Sequence, residues 1–339
     1  MSLRIAFVGF RHAHIHGLYA LAREREDLDI VGACEEHAET REQLADMDIA
    51  ITHDSFRTML DEVPCDIVAC ADYFGIHGER IIQALEHGRH VLCDKPLCTS
   101  LEDLECIETL AREKDCRVGC MLDLIDSAPF VTLHEIIRRG DLGDILSITI
   151  LGQHPLKYGT RPMWFFEEGK HGGTVNDIGI HVIDTVPWLT GHAIREITAA
   201  RAWNGHVKEH PHFEDGAQLM LTLDNGCGVM ADLSYFSPDA AGYAMPTYWR
   251  TTVSGSKGAA EAGTNLDTVM VWPGEDGNGQ SIALEEARTG GYLDDFLADI
   301  AGEPPPGGLD MARVFRSARL ALLAQRVANT GMMPMAVNG

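Results

Sequence analysis

The chain has 339 residues, 45% of them apolar, which is enough to bury a core in each of two domains and excludes wholesale disorder. Its 51 acidic against 27 basic residues leave a net charge of −24 with the cations dispersed, and such a surface repels phosphate backbones and anionic lipid, so neither nucleic acid nor a membrane is expected as a partner. The longest apolar runs, such as Ile5-Ala6-Phe7-Val8, fall far short of the roughly 20 residues needed to cross a bilayer.

The amino terminus shows no secretory pattern and enters a strand-like run at Arg4–Gly9. Helix-like His16–Glu24 follows, then strand Asp29–Cys34, helix Thr40–Ala45, strand Ile67–Ala71, helix His77–His87, strand His90–Cys93, helix Leu101–Lys114 and strand Arg117–Met121. These strands are continuously apolar, as required when helices cover both faces of a parallel sheet. Residues 1–121 are therefore expected to form a Rossmann-type, doubly wound parallel sheet whose ligands sit at the carboxyl ends of the strands.

Beyond residue 121 the rhythm changes. A helix at Pro129–Arg139 closes on Gly140, and long runs with a period of two follow at Ile145–Gly152 and Ile197–Val207. Asp224-Asn225-Gly226 between alternating strands Ala217–Leu223 and Cys227–Tyr235 predicts a hairpin with a type I′ turn, which needs positive φ at both central residues. Further strands are expected at Arg250–Ser254, Thr268–Trp272 and Ser281–Leu284, and helices at Asn176–Leu189 and Met311–Ala328. Residues 122–339 then make an α+β domain with a mostly antiparallel sheet and flanking helices, and its last helix, about 310–329, is a candidate to pack back on the first domain. The nine cysteines include no C-x-x-C pair and mostly sit in apolar runs, so free thiols in a reducing cytoplasm are expected.

Four stretches carry chemistry. The turn after the first strand, Gly9-Phe10-Arg11-His12-Ala13-His14, keeps the first glycine of a dinucleotide loop and places Arg11 and His14 where the other two would stand; Arg11 can bring side-chain charge to phosphates. Glu35 follows about 25 residues after Gly9, near the spacing of an acid that accepts from both adenosine ribose hydroxyls and repels a 2′-phosphate, which favours NAD over NADP. Asp94-Lys95-Pro96 follows a strand directly, so Lys95, one of six lysines, points into the crevice where a cofactor would lie. In Gly172-Gly173-Thr174-Val175-Asn176-Asp177-Ile178-Gly179-Ile180-His181, with Asp184 one turn on, Asp177 and His181 share a helix face. A histidine near a carboxylate suits proton removal from a hydroxyl at neutral pH, and the glycine-rich lead-in would let a substrate approach the backbone closely.

Together these stretches resemble the Gfo/Idh/MocA oxidoreductases, the family of glucose–fructose oxidoreductase and inositol dehydrogenase. The resemblance runs over nearly the whole chain and includes Val91–Leu97, Gly143 and Trp164-Phe165-Phe166. It implies Lys95, Asp177 and His181 as the catalytic set and NAD as cofactor, held by Gly9, Phe10, Arg11, His12, Glu35, Ala71, Asp72, His77, Asp94, Lys95 and Pro96. It implies hydride transfer at a secondary alcohol of a sugar, sugar acid or cyclitol, with residues 122–339 serving substrate binding and oligomerisation, in a homodimer or homotetramer. Either His181 or Lys95 would carry the proton. Asp94 stands for the usual Glu, and Asp123 stands where an Arg is common, which argues against transferring any particular substrate. Substrate-side candidates are Asp123, His154, Lys157, Tyr158, Arg161 and Trp164; Lys157 and Arg161 raise an acidic or phosphorylated sugar as one class. The alternatives are a non-catalytic NAD-binding regulator and NAD-assisted glycoside cleavage. No metal site is expected, because neither His12-Ala13-His14-Ile15-His16 nor His210-Pro211-His212 matches a zinc spacing.

Overall fold

The structure, a computed structural model, describes residues 2–275, 277–331 and 335–337. The chain divides into two compact units, the first made of Met1–Leu122, Gly169–Gly172 and Gly290–Ala318, the second of Asp123–Glu168, Gly173–Thr289 and Arg319–Gly339.

In the first unit β1 (Leu3–Val8) is followed by α1 (His14–Arg23), β2 (Leu28–Cys34), α2 (Ala38–Leu44), α3 (Phe56–Glu62), β3 (Ile67–Cys70), α4 (His77–Glu86), β4 (His90–Cys93), α5 (Leu101–Glu113) and β5 (Val118–Cys120). The strands line up as β2-β1-β3-β4-β5, every neighbouring pair parallel. Ile5, Phe7, Val68, Leu92 and Val118 are fully or almost fully buried, which is why the strands read as unbroken apolar runs. Two caps set helix starts: the Ser55 side chain accepts from Thr58 N–H, and that of Ser100 accepts from Asp103 N–H. The short α3 does not stand out in the sequence, where one turn of apolar spacing is too little to register.

The second unit carries α6 (Ala128–Arg138), β6 (Ile145–Pro155), a π-helical turn Val175–Gly179 running into α7 (Ile180–Thr190), β7 (Ile194–Trp203), β8 (Gly216–Leu223), β9 (Gly228–Ser237), β10 (Tyr248–Gly255), β11 (Gly258–Ala262), β12 (Thr268–Pro273) and β13 (Gln280–Ala283). Helix α8 (Gly291–Ala301) belongs to the first unit, α9 is Met311–Thr330, and Met335–Ala336 forms the short β14. The sheet order is β13-β12-β11-β10-β6-β9-β8-β7-β14, with β6–β9 parallel and the other pairs antiparallel. Helices α6 and α7 pack together, and α6 lies on β11 and β12.

Two local expectations fail for identifiable reasons. In the β8–β9 hairpin Gly226 has φ +87° but Asn225 stays out of the left-handed region. Gly226 N–H donates to Leu223 O (3.0 Å) and Leu223 N–H to Cys227 O (2.9 Å), a three-residue connection rather than a type I′ turn. The Asn225 side chain accepts from Cys227 N–H and donates to Ile145 O, which holds its backbone in place. Strand β7 ends at Trp203 rather than Val207, because the fully buried Asp215 carboxylate collects the N–H groups of Gly205, His206 and Val207 and turns the chain.

Candidate active site

At the carboxyl ends of the first sheet, Gly9 adopts φ +76°, and a Cβ there would stand 2.7 Å from Asp72 Cβ and 2.9 Å from Ala71 O, so only glycine lets β1 leave the sheet this way. Glu35 is fully buried at the end of β2; it accepts from Phe10 N–H (2.6 Å) and His37 N–H (2.7 Å). Burial pushes its carboxyl up against the lowering effect of those two donors. Arg11 forms an ion pair with the buried Asp72 and lies over the Tyr73 ring, 4.5 Å from its centre. Next door, Glu36 accepts from Phe56 N–H and pairs with Arg80.

Asp94 is fully buried just beyond β4 and receives His12 Nδ1, His14 Nδ1 (2.9 Å) and the N–H of Lys95 (2.7 Å). Burial pushes the His12 imidazole down to about 4. Burial by itself would raise the Asp94 carboxyl, but the two imidazoles outweigh it and hold the group well below the usual range. Lys95 is itself buried, its Nζ 5.3 Å from the centre of the Phe74 ring. The following Pro96 carbonyl accepts from His77 Nδ1 (2.8 Å), while His77 Nε2 accepts from Asp72 N–H (3.1 Å). His77 is fully enclosed and ties the loop after β3 to the turn that carries Lys95.

In the second unit the Asp177 and His181 side chains are both buried on successive turns. Asp177 accepts from Tyr235 Oη, and burial, aided by that carboxylate, pushes the phenol well above its ordinary value. The His181 ring lies 5.2 Å from Trp249. Asp184 is buried one turn further along the same helix.

The substrate-side candidates divide. His154 lies 5.0 to 6.1 Å from the rings of Tyr235, Tyr243, Tyr248 and Trp249. Arg161 donates to Leu156 O (2.6 Å) and Pro155 O (3.0 Å) and lies over Phe165 and Tyr235. Lys157 sits over Tyr243 (4.7 Å), and Tyr158 meets His210 Nε2 at 3.0 Å. Trp164 is buried and stacked on Phe165, whereas Asp123 is exposed. Leu156, Tyr158, Trp203, His206, Tyr235 and Asp239 line part of a cavity of about 530 Å³ within this unit.

Three residues of this neighbourhood escape sequence reasoning. Tyr235 reaches Asp177 from a strand 58 residues away. Trp249 is the extra residue of a bulge in β10, at φ +53°, with no local signal beyond an aromatic pair. Gln325 accepts from Val175 N–H and Asn176 N–H, and a Cβ on Gly173 would stand 2.2 Å from its side chain. The group that approaches Gly173 is thus Gln325, which caps the start of the helix, and not a substrate as the glycines suggested.

Residues 3–121 match the model of an oxidoreductase family with an NAD-binding Rossmann fold, and residues 130–261 match that of the GFO/IDH/MocA C-terminal domain. The chain belongs to the Gfo/Idh/MocA oxidoreductase family. It is 28% identical over 177 residues to levoglucosan dehydrogenase of Pseudarthrobacter phenanthrenivorans, a stretch covering 51% of this chain and 44% of that protein. The first curated relatives are thus matched over about half their length. The rhizopine catabolism protein MocA of Rhizobium meliloti is 25% identical over 311 residues, covering 90% of this chain and 88% of the relative. A solved Thermotoga maritima structure shares the fold, with a TM-score of 0.85 and 23% identity over 99% of this chain and 100% of the other.

Proposed function

We propose that the chain is an NAD-dependent dehydrogenase that moves hydride between nicotinamide and a secondary alcohol of a neutral sugar or cyclitol. The observation that carries this reading is the buried Asp177–His181 pair, its carboxylate fixed by Tyr235 and its imidazole set beside Trp249, in a chain that also holds an NAD-binding Rossmann domain. A histidine beside a fixed carboxylate is suited to take a hydroxyl proton near neutral pH. His181 has that role; Asp177 orients the substrate or stabilises the imidazolium that forms. Lys95 offsets negative charge developing on the reacting oxygen, a contribution of a few kcal/mol where water is excluded. His77, through Pro96 O, is a positioning residue for Lys95.

The ends of the first sheet suit NAD because Glu35 keeps a carboxylate at the end of β2, where a 2′-phosphate would be repelled. Bound there, NAD supplies the hydride acceptor. A neutral substrate is favoured because Arg161 is engaged by two carbonyls and two rings, and Lys157 by a ring.

The assembly is a dimer or tetramer built on the open sheet face. Met220 and Met230 pair directly across β8 and β9, are 50% and 54% exposed, and are flanked by Ala199 and Thr149. The nine free cysteines, eight of them buried, suit a reducing compartment.

The test is to mix the protein with NAD and a panel of cyclitols, aldoses, glycosides and sugar acids and to follow NADH absorbance. At least one neutral polyol should be oxidised, with His181→Ala and Lys95→Met each slowing turnover at least about 100-fold. Preference for sugar acids would remove the neutral-substrate part; no NADH from any compound, or full turnover in both variants, would remove the whole.

A further inference from the structure

The loop between β1 and α1 brings two imidazoles onto one buried carboxylate. His12 and His14 each turn Nδ1 to Asp94, and one ligand atom from each of the three residues falls within 4.8 Å of the other two. We propose that His12, His14 and Asp94 form a site for a divalent transition metal of the zinc class, with one coordination position open to solvent beside His14. The site stands on the first unit alone and departs from the expectation of no metal at His12–His16, because Asp94 supplies a third ligand from a distant strand end; His12 and Asp94 are also among the residues the family resemblance assigns to NAD, so the site is that of the nucleotide-free protein.

The geometry is close to what such an ion needs. Bonds of about 2.1 Å put tetrahedral ligands about 3.4 Å apart, so three atoms within 4.8 Å need to move by little more than a side-chain adjustment. The anchors are already set. Asp94 N–H donates to Cys70 O (2.8 Å), and Lys95 N–H donates to the Asp94 carboxylate (2.7 Å), so this ligand stays oriented when an ion replaces the histidine hydrogen bonds. The His12 ring is held edge-on by Phe74 at 5.1 Å. His14 stands at the first position of α1 with its side chain 44% exposed, giving an entry path and a movable third ligand. Water or an anionic oxygen can take the open position.

The donor set also selects among ions. Two imidazole nitrogens and one carboxylate oxygen suit zinc and its transition-metal neighbours, whereas magnesium and calcium require oxygen ligands throughout. The Asp94 carboxylate already receives His12, His14 and the Lys95 N–H, and Arg11 is paired with Asp72, so no unshared cluster of carboxylates is offered to a hard cation. Binding at this site therefore comes from imidazole ligation, and magnesium should not compete.

Untagged full-length protein, stripped by chelator dialysis and then equilibrated with zinc alone, tests the site through bound metal measured by atomic emission; cobalt(II) reports ligand geometry through its visible absorption. We expect one zinc per chain, retained in excess magnesium, with affinity at least about 10-fold weaker in His14→Ala and Asp94→Asn and unchanged in His210→Ala. Circular dichroism checks each variant's fold. Should Asp94→Asn unfold, His14→Ala still decides, since that half-exposed ring is not needed for packing. Substoichiometric zinc, or equal affinity in His14→Ala, overturns the proposal and leaves a hydrogen-bonded clamp on the loop.

Discussion

Glu35 accepts two backbone N–H groups and, in the proposed complex, also faces the adenosine ribose. Glu35→Ala should weaken NADH binding about 10-fold or more and narrow its preference over NADPH, both read by fluorescence titration; stability should fall by about 1–3 kcal/mol, because Phe10 N–H and His37 N–H lose their acceptor. Unaltered discrimination between the two nucleotides would remove Glu35 from cofactor selection. Lys95, Asp177 and His181, to which the proposal assigns the chemistry, stood out in the sequence because they lie in short stretches whose spacing sets a strand end or a helix face, and the structure puts Lys95 just beyond β4 and Asp177 and His181 on successive turns. Tyr235 and Gln325 did not stand out, because they act on residues 58 and 150 positions away. His77 was legible as a histidine after β3, but its work as a brace between Asp72 and Pro96 shows only in three dimensions.

At the scale of elements, the bulge in β10 has the clearest consequence. Trp249, at φ +53°, drops into the space left by Gly152 on β6, where a Cβ would meet its ring at 2.7 Å, and its ring borders His181. Left-handed backbone at a bulky residue costs energy and is retained where the surroundings fix it. Gly152→Ala should cost about 1–3 kcal/mol in chemical denaturation through overpacking, and turnover should fall more than substrate binding as the ring beside His181 shifts. Equal stability and rate would show that the bulge is not needed. The alternation of apolar strands and helices in the first unit was readable because continuous burial writes itself into composition. The early end of β7 and the three-residue hairpin turn were not, since they depend on the side chains of Asp215 and Asn225 satisfying backbone groups, and the bulge was not, since it depends on the Trp249 ring packing over Gly152 on another strand.

For the whole molecule, the two-part organisation was visible as a change of period near residue 121; a late helix at about 310–329 was expected to return to the first unit, and the segment grouped there is Gly290–Ala318, with packing such as Phe296 against Gly119, while the rest of α9 goes with the second unit. The open sheet face predicts that Met220→Lys with Met230→Lys shifts the protein to monomers in light scattering while leaving its circular dichroism unchanged; a wild type that is already monomeric contradicts the assembly. Eight of the nine cysteines are buried and burial pushes Cys34 up to about 12, so alkylation of native protein should mark Cys106 alone and the others only after unfolding, as read by peptide mass.

The central claim is that His181 receives the substrate's hydroxyl proton as hydride departs. It is tested most directly by single-turnover NADH formation with the best polyol of the panel, comparing wild type with His181→Asn across pH. The account predicts a pH-dependent burst in wild type and a loss of at least about 100-fold in the variant with NAD binding retained; a burst of equal rate and the same pH profile in His181→Asn would contradict it.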